Sequence, residues 1–163
     1  MITEKPYINV DDTIANIYYL IDKHKDDPIL DNFKNYTMQQ LHGFISKEIK
    51  YIKDPQGVSW LNGDNIELLR SPRQTLYTMS GDCDCKTILA GSIFDRNKVP
   101  YRLAIVSERD DKKFHHIYPE YLSGYKYIPF DATYPENELG REKPYTAKRV
   151  YFKLLDKIIK KDL

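Results

Sequence analysis

The sequence predicts an α+β domain in which N-terminal helices and a central helix carrying a cysteine pack on a small antiparallel sheet. Three observations carry that expectation. Apolar residues recur at helical spacing in three segments of the first hundred residues. Runs rich in Ile, Val, Tyr and Phe follow them, and a Ser-Gly pair separates two of these runs as a hairpin turn would. Helices first and strands afterwards favour α+β over alternating βαβ units.

The first helix is expected over residues 12 to 24, where Ile14, Ile17, Tyr18 and Ile21 fall at i, i+3, i+4 and i+7 behind an Asp suited to capping. The second runs from about Tyr36 to Lys53, with Met38, Leu41, Phe44, Ile45, Ile49 and Ile52 on one side, and Asp54-Pro55 stops it. Residues 55 to 80 contain Gly and Pro breaks and little periodicity. They read as a loop with short turns, long enough to be a candidate binding loop. The third helix spans Cys83 to Asn97, ahead of Val99-Pro100. Its face of Cys83, Thr87, Ala90, Gly91 and Phe94 carries mostly small side chains that permit close approach to a packed layer. Strand-like runs occupy 101 to 107, 114 to 121 and 125 to 130, with Ser123-Gly124 turning between the last two. Pro119 lacks an N–H donor, which suggests an edge position or a bulge for its strand. Residues 149 to 160 place Val150, Leu154, Leu155, Ile158 and Ile159 on a helical stripe, with a strand at its start as the alternative.

The 163 residues and 19.3 kDa suit a single domain over 1–163 with one continuous core. Charged residues make up 30% and mean hydropathy is −0.62, so no stretch approaches the roughly 18 apolar residues of a membrane span. The opening MITEKPYINVDD lacks the apolar run of a secretory signal, which points to a cytoplasmic protein or one carried in a larger assembly. A net charge of +1 gives no general attraction to nucleic acid or acidic lipid, so neither a membrane nor a specific nucleic acid is expected as partner. The basic element at about 141–163 holds eight Lys or Arg against three acids and reads as the solvated face of a helix. Cys83 and Cys85 are too close in sequence to close a useful loop, which excludes a disulfide-built scaffold.

The densest chemistry lies in GDCDCK at 81 to 86, at the start of the third helix. A helix N-terminus favours thiolate over thiol, whereas the flanking Asp82 and Asp84 oppose it, so a cationic partner is needed. His24 and His42 occupy polar positions of the first two helices and read as surface residues. His115 and His116 remain, and in a strand only one of two neighbours can face a cysteine. By the period of two, His116 shares a face with Tyr118 and Glu120. The neighbouring run ends in PFDAT, which places Asp131 where a hairpin partner would let it bond the second ring nitrogen of His116 and fix its tautomer.

GDCDCK at 81 to 86, NKVPYRLAIV at 97 to 106, HIYPE at 116 to 120 and YIPFDAT at 127 to 133 together resemble the transglutaminase-like superfamily of papain-related, cysteine-dependent proteins. The resemblance lies in motif order, spacing and flanks over about residues 50–135. DPQG at 54 to 57 and SPRQTL at 71 to 76 look like the lead-in of small bacterial and tailed-phage members. The resemblance implies a transglutaminase-like or papain-like core, with Cys83 as nucleophile, His116 as general base and then acid, and Asp131 as the orienting carboxylate. It implies acyl transfer through a thioester on a protein or peptide substrate, more in keeping with a cysteine protease or amidase than a crosslinking enzyme, with no metal or organic cofactor. Two departures stand out: Cys85 replaces an acidic residue common in small members, and Asn97-Lys98-Val99-Pro100 stands where a Gly commonly sits. A rival reading keeps the fold and idles the triad, giving a structural or adaptor protein of a bacteriophage head or tail.

Other assignments are weaker on physical grounds. A zinc site from Cys83, Cys85, His115 and His116 has the wrong spacing, and its histidines face opposite ways. A redox pair of Cys83 and Cys85 places the thiols about 200° apart around a helix. Cys85 reads as a small buried residue, Glu120 as a surface or supporting carboxylate, and Trp60 as a loop anchor. Tyr118, Tyr121, Tyr125 and Tyr127 read as amphipathic sheet packing rather than a binding platform.

Overall fold

The computed structural model describes residues 2–6, 9–53 and 66–163. Strand β1 (Ile2–Pro6) precedes helix α1 (Val10–His24), whose buried Ile14, Ile17, Tyr18, Leu20 and Ile21 include the predicted stripe. The cap differs from expectation: Asn9, not an aspartate, accepts the Asp12 N–H at 2.9 Å, which frees Asp11 and Asp12 to occupy the first turn. A 3₁₀ turn over Pro28–Phe33 follows, started by Pro28 behind an Asp27 cap, and buries Leu30 and Phe33.

The second expected helix is shorter. Helix α2 (Met38–Gly43) begins with a Thr37/Gln40 capping box and passes into one π turn at Phe44–Glu48. It stops there because the next residues pair elsewhere. Strand β2 (Lys50–Tyr51) runs parallel to β4 (Ser80–Gly81), with Lys50 and Ile52 N–H donating to Met79 and Gly81 carbonyls. Asp54-Pro55, the DPQG segment and Trp60 lie outside the described residues. The described part of the supposed loop is ordered: β3 (Ile66–Arg70) pairs antiparallel with β1, and α3 (Pro72–Thr78) starts at a Ser71 cap followed by proline.

Helix α4 (Cys83–Arg96) has the expected extent, and Cys85 through Phe94 are all buried, so it is the central element of the core. Ile88 joins Ile14, Ile17 and Ile21 of α1 in one cluster, while Leu89, Ile93 and Phe94 join Leu30, Phe33, Leu41 and Ile45 in another. The small-residue face works as predicted at Gly91, where a Cβ would lie 2.6 Å from Ile21 Cδ1.

Strands β5 (Tyr101–Ser107), β6 (His116–Ser123), β7 (Lys126–Pro129), β8 (Ala147–Leu154) and β9 (Lys157–Asp162) form one sheet in the order β7-β6-β5-β8-β9, all antiparallel. Gly124, at φ +61°, makes the β6–β7 turn. β6 is an interior strand, contrary to the edge position that Pro119 suggested. The Pro119 carbonyl accepts Phe130 N–H at 2.9 Å, so its missing donor faces the very end of β7 and interrupts no ladder within that strand. Residues 149 to 160 form the β8–β9 hairpin and not a helix. The run Val150, Tyr151, Phe152 suits a strand, β5 presents an edge to be paired, and Leu155 at φ +54° supplies the turn. Ile158 and Ile159, expected to face a core, are exposed on β9.

Register divides the sheet into two faces. Leu103, Ile105, Ile117 and Tyr151 meet α1 and α4, and Tyr18 Oη donates to the Tyr151 carbonyl at 2.6 Å. The other face carries His116, Tyr118 and Glu120 beside Ala104, Val106, Lys148 and Val150. Glu120 is wholly buried rather than at the surface, ion-paired to Arg102 and Lys148, and Lys148 also reaches Glu142 at 2.7 Å. The tyrosines pack as expected at Tyr118, Tyr121 and Tyr127, with Arg102 4.1 Å above the Tyr127 ring, whereas Tyr125 projects from the turn. Among the described residues, no helix is long and apolar enough to cross a membrane.

Two stability outcomes follow from this packing. Gly91→Ala gains about 1 kcal/mol of helix propensity but overpacks a buried contact at a cost of about 1–3 kcal/mol. A net loss is expected in urea denaturation, and unchanged or higher stability contradicts the close approach. Lys148→Met leaves the buried Glu120 with Arg102 as its remaining cation and removes the Lys148 partner of the half-buried Glu142, and is expected to cost about 2–4 kcal/mol by the same measurement; a loss below about 1 kcal/mol would show that the network is solvated.

Candidate active site

The cysteine segment is built by β4 and the first turn of α4. Asp82 caps the helix through Oδ1, which accepts Cys85 N–H at 3.0 Å, while its carbonyl accepts Lys86 N–H at 3.0 Å. Cys83 is the first helical residue, half-buried, with its thiol 3.8 Å from Asp84 Oδ1. Burial is the largest influence on that thiol and pushes its pKa up. The Asp84 and Asp82 carboxylates add to the rise, against a hydrogen bond with the Ile117 backbone. Whatever the helix N-terminus offers the thiolate is opposed chiefly by burial, with the acidic flanks acting in the same sense as burial.

Strand β6 supplies the histidine. In a strand the N–H and C=O of one residue share a side, so Ile117, two residues before Pro119, presents its backbone toward the line of β7, past that strand's end. The first turns of α4 occupy this place, where Thr87 Oγ1 donates to the Ile117 carbonyl at 3.5 Å. The helix thus meets β6 along its edge, from which residues of both sheet faces are within reach. This brings Cys83 and His116 to one pocket although His116 lies on the face away from α1. His116 Nε2 is 2.8 Å from Asp131 Oδ2, and its ring centroid is 5.7 Å from that of Tyr118. His115, its exposed neighbour, turns aside: its Nε2 accepts the Glu108 N–H at 2.9 Å.

Asp131 follows β7 and is held from several directions. Thr133 N–H donates to its Oδ1 at 3.2 Å, and His42 Nε2 donates to its carbonyl at 2.9 Å. Burial alone pushes the Asp131 carboxyl up, but the His116 hydrogen bond and charge, with the Thr133 bonds, outweigh it and hold its pKa below the ordinary carboxyl value. Its stabilising contribution is therefore present above about pH 4 and fades as pH falls through the lowered value.

Three supporting residues were not anticipated. His42, expected at the surface, is 2% exposed against the Phe130 ring. Its spacing, four after Met38 and three before Ile45, puts it on the apolar stripe, and that was the available signal. Lys86 is 3% exposed and donates to the Ala132 and Thr133 carbonyls at 3.3 and 2.7 Å, clamping the chain beyond Asp131. It stands three residues after Cys83 in the same motif. Tyr51, on β2, lies 4.8 Å ring to ring from Tyr134, and its hydroxyl is pushed up by burial, by its bond to Tyr134 and by the nearby Asp82 carboxylate. The helical reading of its segment concealed it.

The Cys85 thiol is also pushed up, mainly by burial, and its Cβ lies 2.7 Å from where a Gly81 Cβ would stand. Cys83 and Cys85 are both thiols. Among the described residues no group of three or more His, Cys, Asp or Glu could hold a metal ion.

Burial pushes the Lys86 ammonium down to about 8, against the attraction of Asp131. Between that value and the ordinary 10.5, the unfolded chain keeps a proton that the folded one releases, so this residue makes stability rise with pH. Urea denaturation from pH 7 to 10 is expected to show wild type gaining stability relative to Lys86→Met, whereas parallel profiles would remove the buried-ammonium assignment.

No protein-family model matches the sequence. No curated protein matches it either. Among solved structures, the chain is similar to a candidate cysteine protease from Cytophaga hutchinsonii, at 15% identity and a TM-score of 0.46, over 99% of this chain and 63% of that one. The chain thus spans less than two thirds of that protein's length.

Proposed function

We propose that the protein is a cysteine-dependent acyl-transfer enzyme that hydrolyses a peptide or amide bond, with Cys83 as nucleophile, His116 as general base and acid, and Asp131 as the orienting group. The observation that supports this most is the 2.8 Å bond between His116 Nε2 and Asp131 Oδ2 beside a pocket that Cys83 and His116 share. With Nε2–H donated to the carboxylate, Nδ1 is the nitrogen whose lone pair remains to take a proton.

In this reading the Cys83 thiol carries its proton at rest. The Cys83 proton passes to His116 Nδ1 as sulfur attacks the carbonyl carbon, and Asp131 stabilises the imidazolium that forms. His116 then protonates the leaving amine, which departs and leaves a thioester. Water, deprotonated by the same imidazole, attacks the thioester, and the acid product and free thiol are restored. The backbone N–H of Cys83, at the start of the helix, is the donor assigned to the oxyanion. One observation favours a second reading, a structural or adaptor role with an idle cysteine: burial and two carboxylates hold the thiol protonated.

Alkylation by iodoacetamide from pH 5 to 10, with peptide mapping of Cys83 and Cys85, separates the two. The active reading predicts that Cys83 reacts near neutrality and loses about tenfold or more of that rate in His116→Ala. Turnover of a peptide-amide library is expected to fall at least a hundredfold in Cys83→Ala. Equal Cys83 rates with and without His116 would favour the idle cysteine.

A further inference from the structure

Beside the candidate nucleophile is a pocket of about 140 Å³ whose apolar walls are Val10 and Ile14 of α1, Ile105 of β5, Phe114 just before β6 and Ile117 within it. This volume is close to the ~150 Å³ of an apolar cavity that takes up benzene. Its polar groups differ in kind from its walls: Cys83, Asp84, His115 and His116 line it together with Thr13. We infer that this pocket receives an uncharged apolar side chain, of leucine to phenylalanine size, adjacent to the bond that Cys83 attacks. The inference rests on the proposed nucleophilic role of Cys83 and adds the substrate class.

The physical argument concerns what the pocket rewards and what it rejects. Ile14, Ile105 and Ile117 are buried members of the main core, anchored by packing on the side away from the pocket, so this part of the wall cannot collapse onto a missing side chain. A glycine substrate leaves that apolar surface against water, whereas a leucine covers it. A carboxylate-bearing side chain meets the negative charge of Asp84 and has no lysine or arginine among the described lining residues to pair with. A lysine must place its ammonium against isoleucine and phenylalanine or leave the pocket. Val10 and Phe114 are only partly buried and pack against the core from its margin, which makes them the wall residues whose size can change at least cost to folding.

The test uses N-acetyl-aminoacyl fluoromethyl ketones with glycine, leucine, lysine or glutamate as the aminoacyl group. The Cys83 sulfur displaces fluoride from the methylene carbon, the thiol proton passes to His116, and the thioether is read by intact mass and peptide mapping. The leucine probe is expected to label Cys83 about tenfold or more faster than the glycine probe, and the lysine and glutamate probes no faster than glycine. Val10→Phe narrows the pocket and is expected to lower the leucine-to-glycine rate ratio several-fold. Phe114→Ala, which removes a wall, is expected to lower it as well and serves if the first variant folds poorly. A leucine probe no faster than glycine, with His116-dependent labelling by both, overturns the pocket and leaves the nucleophile in place. Failure of every probe and of iodoacetamide to label Cys83 in the folded protein overturns the nucleophile and this inference with it.

Discussion

Strand β7 ends at Pro129, and the backbone of β6 beyond that point would be buried without partners if nothing replaced the missing strand. The N-terminal turns of α4 fill the gap, with Thr87 bonding the Ile117 carbonyl. Most of the site follows from this one constraint. A helix that simply lay on the helical face of the sheet would keep Cys83 from His116, which points to the opposite face. Docking on the strand edge lets one pocket collect residues from both faces. It also sends the chain after β7 around the helix start, so that Asp131 arrives beside His116.

Order around Asp131 is maintained by groups that carry no chemistry themselves. His42 and Thr133 bond Asp131, and Lys86 holds the next two carbonyls, so the turn is fixed from α2, from α4 and from within. A carboxylate kept ionised by such bonds orients its imidazole without taking the proton. The electrostatics of the thiol act in the opposite sense. Burial, and after it the acidic residues at the helix start, raise the thiol, so activation under the proposed mechanism belongs to the moment of attack rather than to a standing ion pair.

The far face of the sheet is secured differently. The connection from β7 to β8 passes from one side of the sheet to the other, tied by Gly140 N–H to the Pro129 carbonyl, by Lys148 to Glu142, and by Thr146 to the Ser107 carbonyl. Glu120, Arg102 and Lys148 are paired beneath it. Buried charges of this kind add little net stability when complete, but they admit few alternative registers, since a slip by one residue would place them against the apolar layer of α1 and α4.

Local pattern alone determined much of the architecture: α1 and α4 from their apolar spacing, β5, β6 and β7 from their β-branched and aromatic runs, and the glycine turn, while motif order picked out Cys83, His116 and Asp131 as the candidate site residues. These features depend on near neighbours and on short periods, which a sequence displays directly. What failed depended on distant partners. Lys50 and Tyr51 left their expected helix because β4 offered a ladder, and residues 147 to 162 became a hairpin because β5 had an edge to cover. His42 was misplaced, and Glu120 stayed open between a surface and a supporting place, because burial of a polar residue is set by the bonds waiting for it, not by its own hydropathy. The meeting of Cys83 with His116 belongs to the same class: the chain supplies both residues, but only the docking of a helix on a strand edge brings them to one pocket, because that edge had backbone groups to satisfy.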